Sequence, residues 1–197
     1  MLNLIGNSCI SSWITNSNLK QKFINPFCWN IMDFNSAYNL VKNYETINYS
    51  NYKLIKDKNW NFSIIIDNLV TIQFVHYKFS SKYNKPTKIG EDIFYNKIWE
   101  YIVEKYEERT KRLLEEKIEP VFIFACAKSA KNKRSSFSLE EQKKLEDLNS
   151  KYKIILSFDN MIESDKFICI KQTKNYKGNT INMANEIYKK LKELNVF

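Results

Sequence analysis

The chain has 197 residues, 44% hydrophobic and 15% aromatic, with three glycines, three prolines and a net charge of +9. That length buries a core without disulfide or metal staples, and the scarcity of glycine and proline excludes a long flexible linker, so a single α/β domain over residues 1–197 is expected. The positive balance invites a nucleic-acid reading, but no recognised nucleic-acid module accompanies it, so no nucleic-acid partner is expected and most lysines are read as solvated surface.

The opening residues form neither a basic leader nor an apolar stretch ending in small residues, and no apolar run approaches the roughly 20 residues of a membrane span. A cytoplasmic protein without a membrane span is expected. Residues 2–5 (Leu-Asn-Leu-Ile) read as a short buried strand. Gly6 to Cys9 make a turn, and residues 10–22 suit a helix with Trp13 and Ile14 among its apolar positions. Residues 25–30 form a loop, because Pro26 disfavours helix for the residue before it. Asp33 is a fair N-cap for a helix over 34–43, with Phe34, Ala37, Tyr38 and Val41 on one face.

Residues 52–55, 62–66 and 69–75 then read as strands, and Asp67-Asn68 suits a tight turn that makes a β-hairpin of the last two. Residues 80–88 are polar, carry Pro86, and read as surface loop. The longest helical signal spans 91–117, with Ile98, Ile102, Tyr106 and Leu113 on its apolar stripe. After Pro120, residues 121–127 (Val-Phe-Ile-Phe-Ala-Cys-Ala) are the clearest buried strand. Ser138 and Glu141 have capping-box spacing for a helix ending near Lys151. Strands at 153–158 and 167–171 and a helix over 181–194 complete the pattern. The alternation predicts a three-layer, Rossmann-like α/β fold, with a mainly parallel sheet and the hairpin as an insert.

In such sheets ligands collect at the carboxyl ends of the strands. The first such end carries Asn7, Ser8 and Cys9. A thiol there, at a helix start, would feel unpaired backbone N–H groups, which lower a thiol pKa to about 3.5–7.5. The same groups, with Asn7 and Ser8, could hold a developing oxyanion. The plain alternative is an inert cysteine in the first turn of a core-facing helix. His76 is the sole histidine and follows a strand, so it is the one imidazole available for general-base work near neutral pH. Asp67, Asp159 and Asn160 are the candidates to orient it; otherwise it simply satisfies local hydrogen bonds.

Gly6-Asn7-Ser8 also resembles the Gly-Asp-Ser block of lipase-like serine hydrolases. Those take their base from an Asp-x-x-His pair near the C-terminus, where this chain has no histidine, so Ser8 is the weaker nucleophile. Lys128, Lys131, Lys133 and Arg134 follow the 121–127 strand and could clasp a phosphate-bearing ligand such as a nucleotide sugar or coenzyme A, or else face water. No Walker loop or Gly-x-Gly-x-x-Gly fingerprint is present. Arg109 and Arg112, three apart on the long helix, could anchor an anion or pair with Glu104, Glu108 or Glu116. Phe27 and Trp29 could stack on a sugar ring or plug the core edge. Cys9, Cys28, Cys126 and Cys169 have no Cys-x-x-Cys spacing, so neither a disulfide framework nor a metal site is expected.

Taken together, Gly6-Asn7-Ser8-Cys9, Asn25-Pro26-Phe27, Phe74-Val75-His76-Tyr77 and the Arg109/Arg112 helix followed by Val121-Phe-Ile-Phe resemble two bacterial families over residues 2–127. One is the exopolysaccharide-biosynthesis family of unknown function; the other is the putative papain-like cysteine peptidase family. The chain departs from the latter at Cys28, where that family tends to have aspartate before tryptophan. The resemblance implies a Cys9–His76 pair and a place in capsule or surface-polysaccharide synthesis. The expected protein is thus a Cys–His transferase moving an acyl or related group to a sugar or glycan acceptor, with coenzyme A as a candidate donor. The alternatives are a cysteine hydrolase and a non-catalytic nucleotide-sugar-binding accessory protein.

Overall fold

The computed structural model describes residues 2–22, 25–28, 30–56, 62–74, 91–125, 137–157, 162–171 and 180–196. Strand β1 (Asn3–Gly6) leads into helix α1 (Ile10–Trp13), which continues as a π-helical segment, Ile14–Asn18. The segment ends where Lys20 takes a left-handed conformation, φ 52°. This stops the helix short of the predicted residue 22. A two-residue strand β2 (Asn30–Ile31) precedes helix α2 (Phe34–Asn43). As expected, the Asp33 carboxylate caps α2 by accepting from Ser36 N at 2.8 Å.

Strands β3 (Tyr52–Lys56), β4 (Phe62–Ile66) and β5 (Val70–Phe74) follow. The β4–β5 turn has Asp67 and Asn68 at φ 51° and 55°, and Leu69 N donates to Ile66 O at 2.9 Å. Both central residues being left-handed is the turn geometry that matches strand twist, and Asp and Asn are residues that tolerate it. The long helix α3 (Glu91–Glu116) ends at Lys117, again left-handed at φ 47°. Strand β6 (Pro120–Ala125), helix α4 (Leu139–Glu146), strands β7 (Lys153–Ser157) and β8 (Phe167–Cys169), and helix α5 (Thr180–Glu193) complete the order. Ser138 and Glu141 form the reciprocal capping box at the start of α4.

The described strands divide into two four-stranded sheets. One is parallel, in the order β1-β6-β7-β8; the other is antiparallel, β2-β5-β4-β3. The expected parallel sheet and the expected hairpin are both present, but the hairpin is the middle of a second, antiparallel sheet with as many strands as the parallel one. Tyr52–Lys56 pairs along the whole of β4, and β2 flanks β5 on the other side.

Alternation along the parallel strands feeds two apolar clusters. Ile5, Phe122, Phe124, Ile154 and Leu156 join residues of α2, α3, α4 and the antiparallel sheet in one cluster. Leu4, Val121, Ile123, Ala125 and Ile155 pack instead with Ile10 and Ile14 and with Met183, Ala184, Ile187 and Leu191 of α5. The parallel strands are therefore buried on both sides, which is why residues 120–125 read as an unbroken apolar run. None of the described helices is long and apolar enough to cross a membrane.

Candidate active site

At the carboxyl end of β1 the chain passes very close to its own helix. A Cβ on Gly6 would stand 2.6 Å from Ser11 Oγ and 3.2 Å from Ile123 O, so only glycine fits without a shift. The next two residues extend the contact with β6 beyond the strand. Asn7 N donates to Ile123 O at 3.2 Å, Ala125 N donates to Asn7 Oδ1 at 2.9 Å, and Ser8 Oγ donates to Ala125 O at 3.0 Å. Asn7 and Ser8 were expected to face an oxyanion. Their side-chain oxygens instead satisfy backbone groups at the end of β6, which would otherwise be buried without partners.

Cys9 begins the helix. Its carbonyl accepts from Trp13 N at 3.0 Å, and its side chain is half-buried and makes no capping hydrogen bond. Burial pushes its thiol up to about 12, outweighing the hydrogen bond from its own backbone, and the neighbouring Cys28 adds to the rise. The expected lowering by the helix start is therefore reversed. Desolvation outweighs what the backbone at the helix start offers the thiolate. The thiol is protonated at neutral pH and needs a base to become a nucleophile.

Cys28 is buried in a loop fixed by Asn25. The Asn25 amide donates to Asn3 Oδ1 at 2.9 Å and to Leu4 O at 3.0 Å, and its Oδ1 accepts from Phe27 N at 3.0 Å and from Cys28 Sγ at 3.5 Å. From α3, Arg109 Nη1 donates to Cys28 O at 3.0 Å. The guanidinium and a hydrogen bond with Ser12 favour the Cys28 thiolate, yet burial prevails and the thiol stands at about 11. Asn25→Ala strands several of these buried groups at once. A loss of about 2 kcal/mol in urea unfolding is expected, and a wild-type midpoint would show that the loop closes without Asn25.

The two arginines part company. Arg109 belongs to this site through Cys28, whereas Arg112 pairs with Glu108 and lines an open cleft of about 510 Å³ with Asn16, Lys20, Gln21 and Lys22. Phe27 is a core plug with no exposure, edge-on to Tyr49 at 6.4 Å, so it offers no platform for a sugar. Asp67, a candidate to orient the histidine, accepts from Asn48 N at 3.1 Å and Asn51 Nδ2 at 2.8 Å, which hold its carboxyl below the usual range and tie the hairpin turn to the β3 approach.

His76, Asp159, Asn160, Lys128, Lys131, Lys133, Arg134, Cys126 and Trp29 lie outside the described residues. The end of β5 does lie within them: Phe74 pairs with Asn30, two residues beyond Cys28, and Met32 N donates to Asn7 O at 3.1 Å. The carboxyl ends of β1 and β5 thus converge on one stretch, residues 30–32. Sequence reasoning missed Ser12, Asn25 and Cys28 as members of this neighbourhood; the only signal was a buried-type polar residue, Asn25, just before proline. No three His, Cys, Asp or Glu side chains among the described residues group in a way that would hold a metal ion. No protein-family model matches the chain, and no curated protein matches it.

Proposed function

We propose that the chain is an enzyme of bacterial surface-polysaccharide synthesis, acting in the cytoplasm as a Cys–His transferase that moves an acyl or related group to a sugar. The observation that carries the reading is the half-buried Cys9 thiol at the carboxyl end of a parallel strand, beside the stretch to which the end of β5 is bonded. His76 follows β5 by two residues and is the base this protonated thiol needs. The motif likeness described above supplies the substrate class. The parallel unit, with apolar clusters on both faces, supports a three-layer, Rossmann-like arrangement for it.

In the proposed reaction His76 accepts the thiol proton as Cys9 Sγ attacks the acyl carbon of a thioester such as acyl-coenzyme A. The donor's thiol leaves with that proton. A sugar hydroxyl then attacks the Cys9 thioester, loses its proton to the base, and restores the thiol. Lys128, Lys131 and Arg134 would hold donor phosphates. Arg109 positions the Cys28 loop against the nucleophile, and Asn7 and Ser8 hold the turn.

The raised thiol favours a second reading, a non-catalytic nucleotide-sugar-binding accessory protein. Incubation with acyl-coenzyme A separates the two. An acyl adduct on the Cys9 peptide, discharged only when a glycan acceptor is added, is the expected result. Discharge to water would make the chain a cysteine hydrolase, and no adduct across a panel of acyl donors would remove the transferase.

A further inference from the structure

Two open clefts of about 560 and 400 Å³ share Tyr49 and Leu114 in their walls, which makes them one groove along the last turns of α3. The larger cleft is framed by Pro120 and Tyr152, at the amino ends of β6 and β7; the smaller lies between Tyr52, where β3 begins, and α3. At 1.5 Å per residue the helical wall from Tyr106 to Lys117 runs about 16 Å. Five tyrosines line the groove, and their neighbours fix them. Tyr106 Oη donates to Tyr49 O and Tyr52 Oη donates to Glu107 Oε1, both at 2.7 Å, with the Tyr52 and Tyr106 ring centroids 4.6 Å apart. Tyr44 Oη accepts from Asn3 Nδ2 at 2.9 Å, and its ring meets that of Tyr152 at 5.4 Å.

Two further observations bear on what the groove takes. Thr110, at 7% exposure, lines the smaller cleft, and its Oγ1 has no hydrogen-bond partner of normal geometry among the described residues. Such a hydroxyl costs stability unless a ligand completes it. The charge is also balanced: four carboxylates and three lysines line the two clefts, in a chain of net charge +9. That balance does not favour a polyanion, unlike the cleft beside Arg112, where Lys20 and Lys22 stand without an acid.

We propose that this groove binds a neutral oligosaccharide of about three sugar rings, the length that its wall spans. Sugar rings present apolar C–H faces, which the half-buried rings of Tyr52 and Tyr152 accommodate. Their hydroxyls donate to Glu107 and to the Glu45 carboxylate, which pairs with Lys151 at the rim, and one of them completes Thr110 Oγ1. Cys9 follows the carboxyl end of β1, at the opposite end of the parallel sheet, so the groove holds sugars away from the reacting hydroxyl. Binding is argued from the lining alone; only the identity of that glycan as the acceptor rests on the proposed function.

The full chain is titrated by calorimetry with maltotetraose, cellotetraose and tetra-N-acetylchitotetraose, and with a heparin tetrasaccharide as the anionic control. At least one neutral tetrasaccharide is expected to bind, more tightly than its disaccharide and than the heparin fragment. Thr110→Val removes the partnerless oxygen, so it is expected to weaken binding about 5-fold with no fall in the urea midpoint. Tyr52→Ala is expected to weaken it at least as much. Cys9→Ala should bind as wild type does, which separates failure of this site from failure of the transfer reaction. No binding of the neutral probes at millimolar concentration overturns the proposal, as does binding that both groove variants retain in full or a preference for the heparin fragment.

Discussion

Replacing Cys9 by alanine is expected to lower acyl transfer by about 10³-fold or more while leaving the fold intact. The two effects separate because the turn is held by its neighbours, Gly6, Asn7 and Ser8. The Cys9 side chain makes no capping hydrogen bond. Alanine keeps the Cβ and the helical start, so the change in unfolding free energy should stay within about 1 kcal/mol. Serine at the same place should be nearly as inactive, since a buried hydroxyl is a poorer nucleophile than the thiol it replaces. Because burial holds the Cys9 thiol far above neutrality, the wild-type rate near pH 7 should follow the titration of the base and not that of the thiol. Single-turnover measurement with acyl-coenzyme A, alongside circular dichroism, checks both halves. Turnover of the alanine variant at the wild-type rate would remove Cys9 from the chemistry.

The largest loss of stability is expected from Phe122→Ala. Phe122 is fully buried as the third residue of β6, opposite Ile5 and Ile154. Its ring meets Tyr44 at 5.8 Å and 90°, Tyr152 at 5.7 Å and 60°, and Phe124 at 6.4 Å nearly face to face. Those partners come from the loop after α2, the approach to β7 and the same strand, so they cannot collapse together into the vacated space. Truncating a phenylalanine in such a setting costs about 3–5 kcal/mol. Urea unfolding should show the midpoint shift at an unchanged slope. A loss below about 1 kcal/mol would mean that the aromatic cluster repacks freely.

Much of the architecture was readable residue by residue where the cause is local. Asp33 announces the start of α2, Ser138 and Glu141 that of α4, and Asp67-Asn68 the hairpin turn. The all-apolar 120–125 segment announces a strand covered on both sides. What was hidden depends on distant pairing. Two residues, Asn30 and Ile31, show no periodicity, and only their register with Phe74 and Gln73 makes them a strand. Whether β3–β5 insert into the parallel sheet or form their own is likewise settled by partners far away in the chain.

The candidate site shows the same division. Cys9 stands out by its place after a strand, but the burial that protonates it comes from tertiary packing. Asn7 and Ser8 read as donors awaiting a ligand; in the fold the Asn7 side-chain oxygen accepts from Ala125 N and the Ser8 hydroxyl donates to Ala125 O at the end of β6. Cys28 enters only through Asn25, Ser12 and Arg109, which lie in three separate segments.

β1 sits at one margin of the parallel sheet and its ladder partner is β6, with Asn3 opposite Pro120. The turn that carries Cys9 can therefore dock on β6 only once more than a hundred further residues have been made. Such a long-range closure makes maturation slow and exposes an apolar, thiol-bearing segment meanwhile.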